Sequence, residues 1–209
     1  MFTSSVDGAT SWSALRQLEQ PNSNHPTEQA MDRGYYSAPA ISPDGKTVYL
    51  VYNAFTTPFR NDSTTQRGLI GVVLQAQVTG TAAGSIGTFA SIHRGAEGDP
   101  RGSSQNNLAA EFLGDYVYAA ATRTYGVAVW NDTRRAADCP AIDEFRQELH
   151  DEAVASGLRT AEAEEPRGEE ERAQFGNQKD QGEETGPPAV QLECLPTFGN
   201  SDIFGFTTA

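Results

Sequence analysis

Short apolar runs separated by turn residues set the pattern of this chain and point to strands rather than helices. Between Gly34 and Asn53 the sequence GYYSAPAISPDGKTVYLVYN places two strand-like runs, SAPAI and TVYLVYN, on either side of Ser42-Pro43-Asp44-Gly45. Pro and Gly at those positions make a tight turn, so the stretch predicts a β-hairpin. A third run, Leu69 to Val78, and a weaker fourth, Gly87 to His93, follow after loops. Together they predict one antiparallel meander of four strands.

The pattern then recurs. Phe112 to Trp130, FLGDYVYAAATRTYGVAVW, reads as strand, turn at Arg123 to Gly126, and strand, and Ser201 to Thr207 supplies a third strand. Aligning YLVYN with VAVWN sets the two units about 78 residues apart. An insertion separates the last two strands. Its first part, CPAIDEFRQELHDEAVAS from Cys139, carries apolar residues at Ile142, Phe145 and Leu149 with Pro140 in the first turn and Gly157 just beyond. That is the signature of an amphipathic helix. From Leu158 to Gly186 large apolar residues are few and Glu, Gln and Gly dominate, so this stretch is expected to be disordered: too little burial offsets the entropy of ordering. The domain reading is strand units over 1–138, a helical start of the insertion over 139–157, an acidic insertion over 158–193, and a returning strand over 194–209.

The chain of 209 residues is 37% hydrophobic, enough to bury a core. A formal net charge of -13 argues against nucleic acid or an anionic membrane surface as partner. No run approaches the roughly 18 to 20 apolar residues of a membrane span. The N-terminus, MFTSSVDGAT, has neither the basic region nor the apolar core of a secretory signal. Either the protein stays inside the cell, or its original start lies upstream of Met1. Cys139 and Cys194 bracket the acidic insertion. A bridge between them would close a loop of about 55 residues and stabilise by roughly 4 kcal/mol; two unrelated buried thiols are the alternative. There is no CxxC motif, and the three His, at 25, 93 and 150, are isolated, so neither a metal site nor a cofactor is expected.

One further motif stands almost at the first residue. Ser5-Val6-Asp7-Gly8-Ala9-Thr10-Ser11-Trp12 has the spacing by which a hydroxyl and a carboxylate tie a hairpin turn while the Trp enters the next strand and packs below. The stretch resembles the Asp-box, or BNR repeat, of sialidase-like β-propellers, with Ala9 where that pattern has Gly. FLGDYVYAAA, VAVWNDTR and FGNSDIFGF are similar to the last blades of secreted bacterial members of that family. The resemblance implies an all-β fold, a partial β-propeller of about two to three four-stranded antiparallel blades, with a helical and disordered acidic insertion. About three blades cannot close a circle, so the chain is expected to be the C-terminal part of a longer, secreted protein.

In a propeller blade, alternate turns lie on the same end. SPDG, TRTYG and SVDGATSW then share one end, and Ser5, Asp7 and Trp12 are structural. The opposite end, where propellers bind ligands, receives Arg33, Tyr35, Tyr36, Asn53, Arg60, Asp99, Arg101, Asp115, Tyr116, Asp132 and Arg134. The resemblance implies arginines that hold a sugar carboxylate through forked donors, a Tyr nucleophile paired with Glu, and an Asp acid/base. No motif assigns those roles here, and a local turn or ion pair is the alternative for Asp132 and Arg134, as strand hydrogen bonding and packing is for Asp115 and Tyr116. The expected function is therefore binding of glycans, sialylated or acidic sugars, or protein without catalysis. The alternative is the C-terminal part of an exo-α-sialidase or related glycoside hydrolase completed by blades outside this chain.

Overall fold

The computed structural model describes residues 1–18, 33–105, 108–114, 116–157 and 193–208. Its regular elements among the described residues are β1 (Arg33–Ile41), β2 (Thr47–Phe55), β3 (Leu69–Gln77), β4 (Ala90–Arg94), β5 (Tyr118–Ala121), β6 (Gly126–Asp132), α1 (Pro140–Ala155) and β7 (Asp202–Thr207), with a 3-10 turn at Pro100–Gly102. The expected disorder between Leu158 and Gly186 lies outside the described residues, as does Asp115. Of the described helices, none is long and apolar enough to cross a membrane.

β1 to β4 form the expected antiparallel meander in the order β1-β2-β3-β4, and β5, β6 and β7 form a second, three-stranded antiparallel sheet. The first hairpin turns where the sequence places Ser42 and Asp44: the Ser42 hydroxyl accepts from the Thr47 amide at 3.0 Å and donates to Asp44 Oδ1 at 2.7 Å. Gly45 supplies the φ of +68° that the turn requires. β2 is buried on both faces through seven consecutive residues, which is why TVYLVYNAF reads as a continuous apolar run rather than an alternation.

Each face of this first sheet has its own cover. Val48, Leu50 and Tyr52 on β2, with Ile70, Val72 and Leu74 on β3, pack on one side against Phe89 and Phe2. Phe2 belongs to the N-terminal hairpin, whose arms join where Phe2 pairs with Arg16. Arg16 fastens the hairpin down by donating to the Ile86 and Gly87 carbonyls, both at 2.7 Å. On the other side, Val51 and Val73 meet Ala128 and Trp130 of the second sheet.

Two glycines set how closely the sheets approach. A Cβ on Gly71 of β3 would stand 2.2 Å from the Trp130 ring, and one on Gly126 of β6 would stand 2.7 Å from the Tyr49 ring. Each sheet thus offers a gap for an aromatic of the other. Trp130 is 1% exposed, and burying it contributes on the order of 3 kcal/mol.

The two sheets repeat one design. Ala38 pairs with Val51 in the first, and Tyr118 pairs with Val129 in the second. Counting back along the chain from those pairs, Gly34-Tyr35-Tyr36 matches Gly114-Asp115-Tyr116. Tyr36 sits at a bulge between Tyr35 and Ser37, with φ of +41°. Neither sheet closes on itself in the described residues, and the second has three strands there rather than four.

α1 begins at Pro140 as the sequence indicates, but its buried stripe is Ile142, Asp143, Arg146 and Ala153. Phe145 and Leu149 are only partly buried. The helix docks through charge as much as through apolar surface. Cys139 and Cys194 are joined in a disulfide, which ties the start of α1 to the segment leading into β7.

Candidate functional site

The strand ends sort the loops into two groups. At the turn end lie Ser42 to Lys46, the β3–β4 connection and the turn Thr122 to Tyr125; a hydrogen bond of 2.8 Å from the Gly84 amide to Ser4 Oγ brings the N-terminal hairpin there too. At the other end lie the β2–β3 loop, the long segment from Gly95 to Val117, and α1 with its flanks. This loop-bearing end carries most of the polar network.

The turn end is built from one repeated device. In the Ser5 to Trp12 turn, Ser5 Oγ donates to Asp7 Oδ1 at 2.8 Å, Asp7 Oδ1 accepts from the Ser11 amide at 3.0 Å, and Asp7 Oδ2 accepts from the Ser11 hydroxyl at 2.6 Å. Bonds from the Ser11 hydroxyl and amide, with that from Ser5, hold the exposed Asp7 carboxyl down to about 2. Ser42 and Asp44 repeat the arrangement, and the Ser42 hydroxyl is the first cause of the lowered Asp44 pKa. Trp12 departs from expectation. It is 58% exposed instead of packing below the turn, because the described chain places no sheet beneath it.

At the loop-bearing end, Trp130, Asp132 and Arg134 form a latch. Asp132 accepts from Trp130 Nε1 at 3.1 Å and from Arg134 Nε at 2.8 Å, and a second bond runs from the guanidinium to Asp132 Oδ2 at 2.5 Å. Arg134 also lies over the Phe204 ring at 4.0 Å. The local ion pair, weighed against ligand binding in the sequence, is what the geometry displays. Beside it, His93 stacks on Phe206 at 4.6 Å, and burial followed by the Arg134 charge lowers its pKa. Asn53, 1% exposed, spans the sheets by donating to the Asn131 carbonyl at 2.7 Å.

A second network anchors α1. Arg101 donates to Asp99, Asp138 and Asp143 at 2.9, 3.0 and 2.8 Å. Burial works against the Arg101 charge, and these carboxylates outweigh it to raise its pKa. Asp143 is pushed up to about 6 by burial, with Arg101 and Arg146 opposing. Its Oδ1 is buried without a hydrogen bond, which explains why two arginines do not win. Arg146 points into the loop instead, donating to the carbonyls of Leu108, Arg101, Ser103 and Ala110 between 2.9 and 3.3 Å.

The remaining candidates are scattered. Tyr35 and Tyr36 have ring centroids 4.0 Å apart where β1 begins. Arg33 opens β1 with its backbone paired to Phe55, and nothing is described of its side chain. Arg60 is exposed on the β2–β3 loop. Tyr116, 67% exposed, stacks beside Tyr118 on the outer face of the second sheet rather than among the loops.

Sequence reasoning missed Asp138, Asp143 and Arg146. The signal was an opposite-charge pair at i and i+3 on the same side of the helix as Ile142. It also missed a cleft of about 430 Å³ between Ser104, Gln105 and Leu108 on one side and Leu195, Pro196 and Phe198 on the other. The disulfide borders it through Cys194, and none of its described lining residues ionises. Such a mixed polar and apolar hollow can hold a ligand, and among its described residues no nucleophile is paired with a base. Compared with protein-family models, curated proteins and solved structures, the chain matches none of them.

Proposed function

We propose that this chain forms blades of a sialidase-like β-propeller and that its loop-bearing end binds a glycan or protein ligand without catalysing a reaction. Support for the architecture is the middle sheet, covered on one face by an Asp-box-type hairpin and on the other by a second sheet of repeated design. For function, one observation carries the reading: Arg67, Arg101, Arg134 and Arg146 are held by carboxylates or carbonyls of the fold itself. An arginine already forked onto a buried carboxylate has few donors left for a sugar acid. The disulfide suits an oxidising, extracellular setting.

Assay of the longest reading frame containing this chain against a fluorogenic sialoside tests the proposal. No release of the fluorophore by correctly folded protein is expected. Turnover lost on Arg134→Ala would contradict it and favour the hydrolase reading.

A further inference from the structure

The cleft beside the disulfide is uncharged in a chain that is not. Its described walls are drawn from two stretches of sequence, GSSQNNLAA (102–110) and LPTFGNS (195–201). Neither stretch holds a charged residue, although the chain is 21% charged with a net of -13. Both walls are also fixed before any ligand arrives. Arg146 donates to the carbonyls of Arg101, Ser103, Leu108 and Ala110 along the first. The second is tied to the first where the Gly199 amide donates to the Gly102 carbonyl at 2.7 Å, and to α1 through Cys194. Leu108, 7% exposed, is held at φ of +61°, a conformation that a leucine keeps only where its surroundings impose it. A wall ordered in advance lowers the cost of binding.

We propose that this cleft takes the ring of a neutral sugar and not a sugar acid. A pyranose carries C–H groups on its faces and hydroxyls around its rim. Phe198 supplies an aromatic surface for the first, and Ser104 and Gln105 supply polar groups for the second. The Ser104 hydroxyl donates to the Gln105 carbonyl at 2.9 Å, so its oxygen still accepts. Gln105 is exposed and its described hydrogen bonds run through its backbone, which leaves the carboxamide to offer a donor and an acceptor together. The volume of about 430 Å³ lies within the range of small-ligand sites. Charge decides against a sugar acid. Arg146 stands 5.9 Å from the centre of the Phe198 ring, but its donors are taken up by the four carbonyls. Glu193, exposed next to Cys194, and the net charge of the chain both repel a carboxylate. The inference rests on the reading that the loop-bearing end binds a ligand, and it names the part of a glycan that the cleft holds: of sialyllactose, the lactose.

Isothermal titration of the full chain with lactose, sialyllactose and free N-acetylneuraminic acid tests the inference. Lactose and sialyllactose are expected to bind about equally, N-acetylneuraminic acid not at all, and the lactose constant should be the same at low and high NaCl, since no ion pair is formed. Gln105→Ala should weaken lactose about tenfold with the circular dichroism spectrum unchanged, because that side chain is exposed. Phe198→Leu, which keeps an apolar side chain and removes the ring, should weaken it as well. Binding of N-acetylneuraminic acid that fades with salt would overturn the inference, as would lactose binding indifferent to both substitutions. Sialyllactose binding with lactose silent would overturn it while leaving the glycan reading in place. Silence from all three sugars would overturn both.

Discussion

Asp143 and Arg146 show how much of this fold turns on single charged side chains. Arg146 is 5% exposed and supplies donors to four carbonyls of one loop. Arg146→Met keeps its length and removes every donor, so a loss of about 3 kcal/mol is expected in denaturant unfolding, with the loop's carbonyls left unmet. Asp143 gives a pH signature. Its carboxyl is raised to about 6 in the fold, above its unfolded value, so between pH 4 and 6 the folded state holds the extra proton. This group's contribution is therefore fully present below the unfolded pKa and is lost as pH rises through about 6. The stability of the parent relative to Asp143→Asn should fall from pH 4 to pH 7; a flat or rising difference would contradict the buried assignment. Ala9 has φ of +65° in the turn where the Asp-box pattern places Gly. Ala9→Gly should relieve about 1 kcal/mol of left-handed strain, read as slower exchange of the Ser11 amide.

At the scale of elements, the strands were legible because β2, β3 and β6 each carry a short unbroken apolar run bounded by turn residues. VYLVY in β2 and LIGVVL in β3 lie in the doubly covered sheet, whereas in GVAVWND of β6 the apolar run is unbroken too and only the burial alternates, with Val127 exposed between the buried Gly126 and Ala128. The turns were legible too, since Ser and Asp two apart followed by Gly closes both hairpins. Docking between elements was not legible. Nothing local in LIGVV says that Gly71 receives an indole, and nothing in DEFR says that Asp143 and Arg146 face inward, because each depends on residues brought together from far along the chain. Gly71→Ala should cost about 1 to 3 kcal/mol by forcing the Trp130 ring aside, measurable as a shift of the denaturation midpoint. Of the candidate site, the sequence placed Asn53, Asp132 and Arg134 together at one end of the strands, where they lie, but did not show their engagement with each other and with the neighbouring sheet.

The molecule as a whole joins a sheet covered on both faces, a second sheet repeating its design, and a loop-bearing end where Arg67, Arg101, Arg134 and Arg146 are tied into the fold. The proposed propeller places the Ser5 to Trp12 turn away from any ligand and the disulfide-bordered cleft toward it. Amide hydrogen exchange of the full chain with and without sialyllactose tests that placement most directly. The account predicts slowed exchange at Ser104, Gln105, Phe198 and Gly199, no change across Ser5 to Trp12, and no free sialic acid in the sample. Protection at the Ser5 to Trp12 turn with none at the cleft, or release of sialic acid, would contradict it.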